Sequence, residues 1–122
     1  MKNEIIEWLY TIENHDGIPP DTQIAFNLGL IESDHGFMMY FVSSSDYSEE
    51  NDDWACIEPP ANHYRYLKLP QKLQTESWKT ILDNCKNALC EMEIEDRLNK
   101  TLVKNAKAIT IGFDDSELIK IR

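Results

Sequence analysis

Five carboxylates crowd into eight residues at Asp46, Glu49, Glu50, Asp52 and Asp53, with Tyr47 inside the run and Trp54 directly after it. Charges of one sign this close repel one another, and a cationic partner relieves that repulsion. Aromatic rings beside charges are also the composition that carries most of the binding energy at protein interfaces. The chemistry expected of this stretch is recognition rather than reaction. Asp46, Tyr47, Glu49, Glu50, Asp52 and Asp53 are therefore the candidate partner-binding residues.

Other chemistries find less support. The acidic run has the oxygens that calcium prefers, but it lacks the central glycine and terminal glutamate of an EF-hand loop. A metal set drawn from Asp52, Asp53, Cys56 and His63 lacks the paired cysteine or histidine spacing of a zinc site. A serine of Ser43–Ser45, or a cysteine, would need His15, His35 or His63 as a base, and no nucleophile-elbow glycines surround the serines. No glycine-rich phosphate loop occurs. Lys100, Lys104 and Lys107 read as the polar side of a helix rather than a nucleic-acid footprint. The expectation is a non-enzymatic binding protein with no cofactor and no metal. One alternative is a small ligand-binding or enzymatic domain with a pocket near Cys56, His63 and Tyr64. Another is self-association through an edge strand at 63–69.

The whole chain shares the loop's charge. Its 122 residues carry 22 acidic and 12 basic side chains, a net charge of −10. Such a field repels nucleic-acid phosphates and anionic lipid and attracts basic proteins. Cys56, Cys85 and Cys90 make an odd count without disulfide spacing, and Cys56 and Cys85 are expected in the core. The first residues have neither the basic nor the long apolar region of a secretion signal, and no run is long enough for a membrane span. A reducing cytoplasm is the expected setting.

The length suits one domain. Ile5, Trp8, Leu9 and Ile12 recur at helical spacing over residues 3–13, with Asn3 placed as cap. Alternation from Ile24 to Ile31 predicts a strand, and a turn ending in Gly36 joins it to the apolar run Phe37–Val42 as a hairpin. Trp54–Ile57 and His63–Leu69 are expected as third and fourth strands, the latter at an edge. A helix capped by Thr75 or Ser77 follows, with Trp78, Ile81, Leu82, Cys85, Leu89 and Met92 as one apolar stripe. Residues 94–105 either prolong it or form another helix. Ala108–Phe113 and Leu118–Arg122 close the chain as strands about a polar turn. The fold class is α+β: a mixed, largely antiparallel sheet of five or six strands with helices mainly on one face.

The run FNLGLIESDHGFMMYFVSSSDYSEENDDWACIEP, then YRYLKLP, a tryptophan-led helix and the closing AITIGFDDSELIKIR resemble the immunity proteins of bacterial polymorphic and contact-dependent toxin systems. The resemblance covers Ala25 to Arg122 and is strongest in DDWAC and AITIGFDD. It implies a cytoplasmic α+β protein made beside a toxin, which binds that toxin and blocks its active site or its entry to substrate. Such toxins are often nucleases with basic clefts, which an acidic inhibitor can fill in place of phosphate. The resemblance assigns no contact residue, so the candidate site rests on the charge of the loop, and the oligomeric state stays open.

Overall fold

The computed structural model describes residues 1–56, 60–114 and 116–122. Helix α1 spans Lys2–Asp16, and strands β1 (Ala25–Ser33) and β2 (Gly36–Ser44) form an antiparallel hairpin whose last pair is Ser33 with Gly36. Gly36, directly after the turn residues Asp34 and His35, takes a left-handed backbone at φ 101°, which glycine adopts without strain. Strand β3 (Tyr66–Lys68) pairs with β2, helix α2 covers Trp78–Ile94, and β4 (Ala108–Phe113) returns to pair with β1 in parallel. The short β5 (Ile119–Lys120) closes the sheet, in the order β3-β2-β1-β4-β5. The fold is α+β, with a five-stranded, mostly antiparallel mixed sheet.

Both helices lie against one face of that sheet. Ile5, Trp8, Leu9 and Ile12 of α1 and Ile81, Leu82, Cys85, Leu89 and Met92 of α2 meet Phe26, Leu28, Leu30, Met39, Phe41, Ile109 and Ile111 in one buried cluster. Burial pushes the Cys85 thiol up to about 12, the signature of a structural cysteine. The loop after α2 completes the core with Leu98, Leu102 and Val103. Arg122 holds that loop to the sheet. Its guanidinium grips both oxygens of Glu93 at 2.7 Å, donates to Asn99 Oδ1 at 2.7 Å and reaches the carbonyls of Val103, Lys104 and Ala106.

Several elements differ from expectation, each for a local reason. Helix α1 begins one residue before Asn3, whose side chain instead accepts from Arg97, and it runs to Asp16 before Gly17 ends it at φ 78°. Trp54 sits in a 3-10 turn, Asp53–Ala55, not a strand; the expected strand end at Ile57 lies outside the described residues. His63–Arg65 is likewise a 3-10 turn, which shortens β3 to three residues at the sheet edge. Ser77 caps α2 by accepting from the Thr80 amide, which leaves Trp78 in the first helical position, 58% exposed and off the apolar stripe. Residues 94–105 form no long helix. Asp96 takes the left-handed conformation, and Arg97 and Asp96 amides donate to Met92 and Glu93 carbonyls, a Schellman ending without glycine. At the other end of the sheet, the expected strand Leu118–Arg122 shrinks to two residues.

Two features of this scaffold can be tested directly. Gly29 stands opposite Tyr40 in the hairpin, and a β-carbon at Gly29 would collide with the Tyr40 ring. Gly29→Ala is expected to cost about 2 kcal/mol in urea denaturation, within the range for overpacking a filled site. In a Tyr40→Leu background the penalty should shrink, and an undiminished penalty would assign it to the backbone instead.

The second feature ties the end of α1 to the 3-10 turn that precedes β3. Asp16 accepts from the Tyr64 hydroxyl and, through Oδ2, from Arg65 Nε at 2.9 Å and Nη2 at 2.7 Å. These donors, Tyr64 first and then Arg65, hold the Asp16 carboxyl below its ordinary value. A depressed folded pKa stabilises above the unfolded value and loses that contribution as pH falls through the folded one. The stability advantage of wild type over Asp16→Asn should therefore narrow between about pH 5 and pH 2. A constant gap across urea titrations in that window would remove the charge as its source.

Candidate functional site

The sheet face that the helices leave open carries small and polar residues. Along β1 and β4 the register sets Ala25 beside Ala108, Asn27 beside Thr110 and Gly29 beside Gly112. Such a stripe cannot fill space itself, so larger groups must lie on it. Trp54 packs over Ala25 and Ala108, with Tyr47 and Leu118 against it. Further along, the Tyr40 ring occupies the space above Gly29. Between them the Thr110 hydroxyl donates to Asn27 Oδ1 at 3.0 Å, a buried polar pair at the sheet's centre.

The acidic loop is thus the cover of this face. Short side-chain turns shape it: the amides of Asp46, Glu50 and Asp53 donate to Ser44 Oγ, Ser48 Oγ and Asn51 Oδ1. Of the six candidate residues, three are used inside the molecule. Glu49 pairs with Lys120, whose ammonium also stands 5.7 Å from the centre of the Tyr47 ring. Tyr47 in turn meets Trp54 edge-on at 5.3 Å. Asp52 Oδ2 accepts from the Leu118 amide at 3.2 Å. Asp46, Glu50 and Asp53 are exposed, and no ion pair holds them among the described residues. The loop therefore presents three carboxylates on a platform pinned by an indole ring and a lysine.

Beside the platform lies a cleft of about 220 Å³, lined among others by Asn27, Tyr40, Asp52, Cys56, Phe113 and Asp114. Tyr40 donates its hydroxyl to Asp114 Oδ1, and burial first, then that carboxylate, raises the phenol well above its ordinary value. The phenol stays protonated across the physiological range and acts as a fixed donor, not a base. Cys56 is exposed here, contrary to the core position expected for it, because the 3-10 turn replaces the strand that would have buried it.

The histidines lie elsewhere. His15 stacks on Tyr64 at 4.1 Å, His63 meets the same ring edge-on, and His35 is exposed in the hairpin turn. Neither His63 nor Tyr64 lines the cleft that holds Cys56, so the pocket expected from those three residues is not assembled as such. Ser43 donates to Gln23 rather than to a histidine. No cluster of three metal-ligating side chains forms among the described residues. Asn27, Tyr40 and Asp114 are not among the residues expected from the sequence. The available signal was Asn27 itself, a polar residue inside an apolar strand.

Comparison of the chain with protein-family models, curated proteins and solved structures finds no match. No helix among the described residues is long and apolar enough to cross a membrane.

The anchoring role of Trp54 is open to measurement. Trp54→Ala should lower stability by about 3 kcal/mol, the low end for removing a buried large aromatic. Hydrogen exchange at Ala55 and Cys56, whose amides bond back to Asp52 and Asp53, should accelerate more than exchange in α2. Equal acceleration in both regions would mean that the indole supports the whole fold and not the loop.

Proposed function

We propose that this chain is a non-enzymatic binding protein that neutralises a basic protein partner through the acidic loop, in the manner of a toxin-immunity protein. The observation that carries the proposal is the pinned platform. Asp46, Glu50 and Asp53 project from a loop whose conformation Trp54, Lys120 and Asp52 already hold. A loop ordered before binding loses little conformational freedom on association, so its charge attraction is not offset by ordering. The net charge of −10 extends the same field over the molecule and steers a basic partner towards it. The resemblance to immunity proteins supplies the partner's class, a bacterial toxin, with a nuclease as the type whose basic cleft best suits this surface. Cytoplasmic location belongs to the same proposal.

The experiment is a binding titration against a toxin domain encoded beside this chain, with wild type and an Asp46→Asn/Glu50→Gln/Asp53→Asn variant. The substitutions keep size and remove charge, and these side chains make no ion pair among the described residues. At low salt the variant should associate about tenfold more slowly, the scale of electrostatic steering. That gap should close towards about 1 M salt, where charges are screened within a few ångströms. Equal association at low salt would place the interface elsewhere. Absence of an adjacent toxin gene, or failure of wild type to bind its product, would remove the immunity assignment.

A further inference from the structure

The open sheet face holds two neighbouring hollows, which share Asp52 and Leu118 in their walls. In one, the chain's own Lys120 lies over the Tyr47 ring and pairs with Glu49. A carboxylate beside an aromatic face is a good receptor for an ammonium group, because the ring quadrupole adds to the charge attraction. The second hollow, the cleft at Asn27, repeats this chemistry. Asp52 and Asp114 supply carboxylates, and Tyr40 and Phe113 supply rings. No lysine or arginine pairs with either carboxylate among the described residues.

Both carboxylates are also aimed. One oxygen of Asp52 is fixed by the Leu118 amide and one oxygen of Asp114 by the Tyr40 hydroxyl, while the second oxygen of each has no partner among the described residues. At the floor, Asn27 is 2% exposed and lines the cleft. Its Oδ1 is taken by Thr110, and its amide nitrogen has no acceptor among the described residues. No buried side-chain nitrogen or oxygen among the described residues lacks a partner, so this nitrogen is not sealed in; it opens to the cleft and can donate to an acceptor atom on whatever enters. The cleft's volume of about 220 Å³ falls below that of drug-sized pockets and suits a group no larger than one long side chain.

We propose that this cleft binds an organic cation, an ammonium or guanidinium on a short chain that also carries a hydrogen-bond acceptor. Asp52 and Asp114 take the charge, the Tyr40 and Phe113 rings flank the chain, and Asn27 donates to the acceptor. A free small amine and an arginine or lysine side chain presented by a protein share this chemistry. The site does not depend on the acidic loop's contact with a partner.

Cys56 reports on occupancy, because its exposed thiol lies in the cleft wall. In a Cys90→Ser variant, with Cys85 buried and silent, iodoacetamide alkylation reads Cys56 alone. The probes are arginine amide, the same residue inside a blocked tripeptide, and a neutral amide of matched length, all at constant ionic strength. A site with a dissociation constant of about 1 mM would slow alkylation about tenfold at ten times that concentration. Protection should come from the cations only, and should fall at least severalfold in Asp52→Asn/Asp114→Asn, which keeps both acceptors. Stronger protection by free arginine amide points to a small molecule, and stronger protection by the tripeptide points to a presented side chain. No protection by either cation, equal protection by the neutral amide, or protection unchanged in the double variant each overturns the site. None of these outcomes touches the loop-charge titration, so the two assignments fail separately.

Discussion

The structure depends on a central strand that must be buried on both sides while helices cover only one. Residues Ala25 to Leu30 of β1 are buried without interruption. A strand between β2 and β4 has no edge to offer water, and each unfilled space above it would forfeit contacts on both walls. On the helical side, Phe26, Leu28 and Leu30 meet α1 and α2. On the other side the chain uses small residues, Ala25, Asn27 and Gly29, and brings single large rings down onto them. Trp54 and Tyr40 thus do the work of a missing helical layer. This is why the loop that carries the carboxylates is folded tightly against the sheet, although its sequence is that of a solvated excursion.

That constraint explains which parts of the fold could be read from the chain. Both helices, the hairpin, the strand β4 and the apolar stripe from Ile81 to Met92 follow periodicity, which reports the face turned to a core. The errors cluster where local geometry overrides pattern. Trp54-Ala55-Cys56 has strand-like composition, yet it forms a 3-10 turn because its indole must reach the Ala25–Ala108 pair. Trp78 fits the helical stripe by spacing, but the first position of a helix lies beyond the core, and the ring instead meets Phe113 edge-on at 6.3 Å. The end of α2 carried no glycine to mark it, since Asp96 occupies the left-handed position that glycine usually fills.

The site was legible in composition and not in geometry. Five carboxylates in a row announce an acidic surface, but nothing in their spacing tells which are free. That division comes from residues 60 or more positions away: Lys120 takes Glu49, and the Leu118 amide takes Asp52. The cleft was harder still. Asn27, Tyr40 and Asp114 come from three separated segments, and only the sheet register brings Tyr40 over Gly29 and the end of β4 beside it. Pairwise distances of this kind are set by tertiary packing, which no local pattern encodes.

Asp52 is where the acidic loop and the cleft above Asn27 meet. Its carboxylate holds the start of β5 through Leu118, and its own loop carries Asp46, Glu50 and Asp53 outward. The residue also stands in the wall between the hollow occupied by Lys120 and the cleft above Asn27. A cation drawn to the exposed carboxylates therefore approaches a surface on which one hollow already contains a lysine. That internal lysine neutralises part of the repulsion within the loop, which lets five like charges remain close in a folded segment. The remaining carboxylates keep their excess charge because no basic residue of the described chain reaches them. An acidic surface that is partly satisfied from within is held where it is paired and attractive to cations where it is not, a division that would suit the basic partner proposed above.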